Sequence, residues 1–177
     1  ISSIVGVTYI NKELLPLKVK VILYNALFDS HINYSHLVWG STTATNLRKV
    51  LTLQKRMLRH VFNVPWDHPS LPLYEKLGVI KVTQLYPYRL CLTYKKDVKE
   101  NINFLSSLAS LSKRTTSHDT RCPEIWNIEK CRTNYGKQMI KQKLPELLNT
   151  CYRHTIHPEK ASKQDLKLFF SGSNVFS

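Results

Sequence analysis

The sequence predicts an all-α protein, an irregular bundle of short helices with proline-rich loops and a less ordered C-terminal part. Three observations carry that prediction. Apolar residues recur three and four positions apart in most of the dense stretches, which is the spacing of a helix face. Glycine and proline punctuate those stretches, with five glycines and eight prolines in 177 residues. The hydrophobic fraction of 42% allows a buried core and argues against general disorder. No internal repeat and no low-complexity tract interrupts the pattern.

Residues 1–12 are a short apolar–polar mix, read as the tail of a helix. Ile1 stands where an initiator methionine would be, so the chain reads as a piece of something longer. Pro16 opens a denser run that ends at Phe28. Proline suits a first helical turn, where its missing N–H had no partner. Val19, Val21 and Leu23 alternate with Lys20 and Ile22 as in a strand, but the length and the continuation through Leu27 and Phe28 favour a largely buried helix. Asp29 or Ser30 is placed to cap a second short helix, with Ile32, Leu37, Val38 and Trp39 packing inward and Gly40 ending it.

Ser41-Thr42-Thr43 supplies a turn and a cap for the next helix, residues 44–62. At about 100° per residue, Leu47, Val50, Leu51, Met57, Leu58, Val61 and Phe62 share one face. Arg48, Lys49, Lys55, Arg56, Arg59 and His60 share the other, and the stretch contains no acid. Such a helix buries one side and presents positive charge on the other. The charged side is either a solvated cationic face or a surface for a polyanion, nucleic acid above all.

The helix stops near Asn63. Pro65, Pro69 and Pro72 mark a loop around Trp66-Asp67-His68. Leu73-Tyr-Glu-Lys-Leu77 reads as one or two helical turns closed by Gly78. Ile80 to Val98 is a longer helix, with a kink or break expected at Pro87. Residues 101–111 hold another short apolar stretch. From Ser112 the composition turns polar and basic. Lys137 to Cys151 is helical again, with Pro145 in its middle. A last helix runs from Ser162 to Phe170, capped by Ser162, with Asp165 three residues on in a variant of the capping box. The chain therefore divides into a helical domain at 1–111, a basic polar linker at 112–136 and a C-terminal helical segment at 137–177.

The formal net charge is +14, from 26 Lys and Arg against 12 Asp and Glu, and the pI is about 9.7. That balance favours a nucleic acid or an anionic surface as partner. No run approaches the ~18 apolar residues of a membrane span, and the apolar patch of Ile4, Val5 and Val7, with no basic region before it, is not expected to be a signal peptide. Cys91, Cys122, Cys131 and Cys151 are scattered, so reduced thiols in an intracellular setting, cytoplasmic or nuclear, are expected. The acids are spread singly, which leaves no paired carboxylates to hold catalytic divalent cations. The glycines are too dispersed for a phosphate-cradling loop. His118, Cys122 and Cys131, or Cys151 and His154, lack the doubled close pairs of a zinc site. No metal or cofactor is expected. His31 and His36 read as surface or interface histidines. Tyr24, Trp39 and Tyr86 read as core, whereas Trp66 and Tyr135, in loops, could stack unpaired bases.

Several segments together resemble a known family. Leu23 to Gly40 resembles the "LYNSLVxSHLxYGxxVWG" region of non-LTR retrotransposon (LINE or jockey-like) reverse transcriptases, and Leu53 to Val61 resembles their "LQKRAxRxI" helix. Leu73 to Val82 is similar to "LFxxLxILxLxxLY". His118 to Arg121 and Arg132 to Gly136 resemble "HxTR…RTxYG". The likeness covers roughly residues 1–150, in the family's order. It departs at Ser35, where the family often has glycine, and at Leu148-Asn149, where many members have Trp-Asn. The resemblance implies a helical thumb at 1–111 and the connecting region beyond it, without the catalytic palm. A fragment of an RNA-directed DNA polymerase follows, with no enzymatic activity of its own. Arg48, Lys49, Lys55, Arg56 and Arg59 would hold RNA or DNA backbone without reading sequence, beside the upstream polymerase domains and away from membranes. The alternative is a structural or protein-interaction helical domain, or a decayed transposon remnant.

Overall fold

The computed structural model describes residues 2–11, 13–115 and 125–172. It is all-α, 67% helical, with no strand among the described residues beyond one isolated bridge. Most of the helices are short. The chain forms two compact units that divide between Tyr86 and Pro87.

In the first unit, α1 (Ser2–Ile10) lies against α5 (Ala44–Phe62). The Thr8 hydroxyl reaches Met57 Sδ at 3.2 Å, and the Tyr9 and His60 rings meet with centroids 5.1 Å apart. His60, at the edge of the basic stripe, is thus drawn into packing. Helix α2 (Leu17–Leu23) runs directly into a π-helical turn, Tyr24–Asp29. The wider turn keeps Tyr24, Phe28 and Ile32, four residues apart, on the core side, and all three are fully buried. The helical expectation for this run holds, but not its burial: α2 has no fully buried side chain, and Ile22 faces solvent.

Asp29 caps nothing, because the chain stays helical through it into α3 (Ser30–Asn33). The break comes at Tyr34 and Ser35, before α4 (His36–Trp39). Ser35 adopts a left-handed conformation, with φ 48° and ψ 30°. That reversal turns α4 over, so Leu37 and Val38 are exposed rather than packed. His36 goes inward instead, 1% exposed, against Trp39 and Tyr86. It is a core histidine and not the surface one expected. Gly40 follows directly beneath it; a Cβ there would lie 2.5 Å from both the His36 ring and its carbonyl oxygen.

Helix α5 begins at Thr43, whose side chain makes no capping bond. It ends at Asn63 in the left-handed conformation, with Val64 N–H donating to the Arg59 carbonyl at 3.1 Å. Helix α6 (Leu71–Leu77) starts two residues earlier than expected, with Pro72 in its first turn, and closes on Gly78 at φ 65°.

Helix α7 (Val82–Lys99) runs unbroken through Pro87. In the second unit, α8 (Phe104–Leu108) is held at its N-terminus by the buried carboxylate of Asp97, which accepts from Phe104 N–H at 3.0 Å and Leu105 N–H at 2.9 Å. Helices α9 (Asn134–Gln138) and α10 (Ile140–Arg153) are separated at Met139, where the backbone extends. Pro145 sits inside α10 without ending it. Helix α11 (Lys163–Gly172) has a reciprocal capping box: Asp165 N–H donates to Ser162 Oγ at 3.1 Å, and Ser162 N–H to Asp165 Oδ2 at 3.0 Å. Hydrogen bonding from the Ser162 hydroxyl, and then from the Ser162 backbone N–H, holds the exposed Asp165 carboxyl below its usual range. The core of this unit gathers Leu90, Cys91, Leu105, Leu144, Leu148, Leu166 and Phe170.

Part of the expected linker, residues 116–124, lies outside the described residues. Its flanks are not loose. Arg114 N–H donates to the Ile125 carbonyl and Asn127 N–H to the Ser112 carbonyl, both at 2.9 Å. The buried amide of Asn149 then grips Trp126 twice, accepting from its N–H and donating to its carbonyl, each at 2.9 Å.

Candidate nucleic-acid interface

Helix α5 positions the five cations anticipated from the sequence. Met57, Leu58 and Val61 are buried beneath it, so the opposite face is fixed outward. Arg48, Lys49 and Arg56 are exposed, and Lys55 is half-buried. Among the described residues, no acid pairs with any of these four. The seven-residue spacing sorts them into two rows, Arg48 with Lys55 and Lys49 with Arg56, each spanning about 10 Å of helix.

Arg59 differs. Its Nε donates to the His68 carbonyl at 3.0 Å, so it ties the proline loop to the helix and is half-buried there. The same loop presents Trp66, 87% exposed. Tyr135, the other stacking candidate, is exposed too, in the second unit. Tyr24 and Tyr86 are core, as anticipated, and Trp39 is half-buried with its indole N–H on the Tyr34 carbonyl at 2.9 Å.

One residue of α5 escaped the sequence reading. Gln54 lies in the middle of the apolar stripe, 2% exposed. Its Oε1 accepts from Val82 N–H at 2.9 Å and from the Tyr74 hydroxyl at 3.1 Å. Its Nε2 donates to the Ile80 carbonyl at 3.0 Å and reaches Tyr24 Oη at 3.4 Å. The visible signal was a polar residue where the helical period demanded an apolar one. Burial pushes Tyr24 up to about 12 against the opposing Gln54 bond, with Asp29 adding to the rise. It pushes Tyr74 up further.

Beside the Arg48–Lys55 row, a groove of about 420 Å³ opens between α5, the start of α6 and the start of α7. Lys81 and Gln84 line it together with Arg48 and Lys55. Lys81 therefore joins the basic face from a segment distant in sequence.

Among the described residues, no three His, Cys, Asp or Glu side chains converge as a metal site. His118 and Cys122 lie outside those residues. Cys151 packs against Cys91, with sulfurs 3.8 Å apart and both thiols buried. Among the described residues no helix is long and apolar enough to cross a membrane. No protein-family model, curated protein or solved structure matches the chain.

Proposed function

We propose that this chain is the thumb and connecting portion of a non-LTR retrotransposon reverse transcriptase, lacking the catalytic palm, and that it holds template–primer nucleic acid through the phosphate backbone. The observation that carries the proposal is the acid-free basic face of α5, where Arg48, Lys49, Lys55 and Arg56 have no protein partner among the described residues and a buried opposite face turns them outward. Phosphate is the ligand such a face suits best. Two backbone details support the family resemblance. Ser35, where the family often has glycine, has the positive φ that glycine tolerates. Gly136, the last residue of the "RTxYG"-like stretch, has the Cys131 sulfur where a Cβ would go.

Binding to a primer–template duplex tests the proposal. Affinity should fall steeply with salt, with a log–log slope of about −4 if the α5 cations each meet a phosphate. Replacing Lys49 and Arg56 with Ala should flatten that slope by about 2. Equal binding by the double variant and the parent chain at every salt concentration would sink the assignment of this face.

A second reading rests on a separate observation. Val7, Ile10, Leu14, Leu17 and Ile22 all present apolar surface to solvent. Single exposed apolar side chains are ordinary, but a run of them supports a protein-covered face. Upstream polymerase domains of a parent chain would cover it in the first reading. In the second, the chain is a protein-interaction domain and its charge serves solubility. Weak duplex binding that does not change with salt would favour the second.

A further inference from the structure

The groove beside α5 has features that a backbone-binding face alone does not need. Arg48, Lys55 and Lys81 bring three cations to its walls, and no acid lines it. Leu51 and Leu71 give it apolar surface, and Leu71 is 51% exposed, a large aliphatic side chain left open at the rim. Gln84, 5% exposed, also lines it, and its buried Oε1 has no hydrogen-bond partner among the described residues. A buried carbonyl oxygen without a donor is unfavourable, so it marks a place where a donor is expected. Ser70, which caps α6 without a side-chain bond, is among the lining residues.

These features specify a ligand class. The cations call for phosphate. The carbonyl of Gln84 calls for an N–H or O–H donor, which a nucleoside supplies from its base or its ribose. The apolar walls call for a flat or weakly polar body between the two. A volume of about 420 Å³ lies within the range of small-ligand sites. We infer that the groove lined by Arg48, Lys55, Lys81 and Gln84 holds one nucleoside phosphate unit, its base or ribose donating to Gln84 Oε1 and its phosphate lying against the cations. Arg48 and Lys55 stand about 10 Å apart along the helix, so they suit phosphates on either side of one nucleoside. The inference rests on the reading of α5 as a nucleic-acid-facing helix, and adds to it a seat for an unpaired nucleotide.

The test uses the full chain with three probes: an eight-nucleotide single strand, adenosine monophosphate and inorganic phosphate. Three variants are compared: Gln84→Met, nearly isosteric and without the acceptor; Lys81→Ala; and Leu71→Glu. The last adds an acid at an exposed site in the first turn of a helix, where a negative charge is tolerated by the fold. Gln84→Met should weaken the single strand about fivefold at every salt concentration. Lys81→Ala should reduce its salt slope by about 0.7. Leu71→Glu should weaken it about fivefold or more by placing like charge beside phosphate.

Adenosine monophosphate binding that is lost in the same variants would show that the seat takes a free nucleotide. Binding of the strand alone, with the same losses, would show that it takes the unit within a chain. Either result supports the groove. Inorganic phosphate binding as tightly as adenosine monophosphate, with Gln84→Met silent, would overturn it. So would single-strand binding unchanged in all three variants. If Lys49→Ala/Arg56→Ala still weakened duplex binding in that case, the groove would fall while the backbone-binding face stood.

Discussion

The side-chain amide of Gln54 and the backbone of Val82 meet at 2.9 Å, deep inside the first unit. With the Ile80 carbonyl on its other end, the amide pairs with extended backbone much as a neighbouring strand would. It satisfies an N–H at the start of α7 that no helical carbonyl can reach. Replacing Gln54 with Leu leaves that N–H, the Ile80 carbonyl and the Tyr74 hydroxyl without a partner in a dry site. Stability should fall by about 3 kcal/mol or more, read by urea unfolding followed by circular dichroism. A loss below about 1 kcal/mol would mean that these groups find water.

Two neighbouring positions should respond in opposite directions. Ser35 bears the left-handed conformation at φ 48°, which glycine takes without steric cost. Ser35→Gly should raise stability by about 0.5–1 kcal/mol, the relief of strain exceeding the added chain entropy. Gly40 stands against His36, where a Cβ would come within 2.5 Å of backbone as well as ring. Gly40→Ala should cost about 1–3 kcal/mol. Thermal melts of the two variants beside the parent decide both signs.

Alkaline pH should unfold the first unit. Burial raises Tyr24 to about 12, and it raises Tyr74 and Tyr86 as well. The folded state keeps these phenolic protons where the unfolded chain, near pH 10, releases them. The stability they contribute is complete below pH 10 and disappears as pH climbs from 10 through 12. Tyr24 alone should account for on the order of 2 kcal/mol over that range. Unfolding free energies measured at intervals from pH 8 to 12 would show it, and a flat profile above pH 10 would contradict it.

Thiol chemistry should separate the cysteines. The hydrogen bond between Cys91 and Cys151, and then burial, holds the Cys91 thiol well above its usual range. It is therefore a poor nucleophile at neutral pH. Cys131, half-exposed, should be alkylated by a maleimide in the native protein well before Cys91 or Cys151. Mass spectrometry of timed digests gives the order. Cys91 labelling as early as Cys131 would show that the core of the second unit opens readily.

What could be read from the sequence was local. Gly40, Asn63, Gly78 and the Ser162–Asp165 pair end or start helices through contacts within a few residues, and they stand where the chain announced them. The basic face of α5 was equally plain, because a helical period needs only its own residues. Buried polar groups were not legible. Gln54 and Asn149 each find their partners on a segment twenty or more residues away, and nothing near them in sequence names that segment. His36 misled for a related reason: the left-handed turn at Ser35 exchanged the faces of α4, and serine gives little sign of such a turn. The groove needed Lys81 and Gln84, about twenty residues beyond the end of α5, and only the folded chain brings them beside Arg48 and Lys55.

The cations of α5 also act on the protein that carries them. Lys55 and Arg59 are four residues apart on one helix, Arg56 and Arg59 three, and no acid lies between them. Like charges at that spacing repel, each pair by about 0.2–0.5 kcal/mol. The free chain therefore folds against its own field. Added salt screens that repulsion and should firm the fold, while loosening any hold on a polyanion. The melting temperature and the affinity would then move in opposite directions along one salt titration.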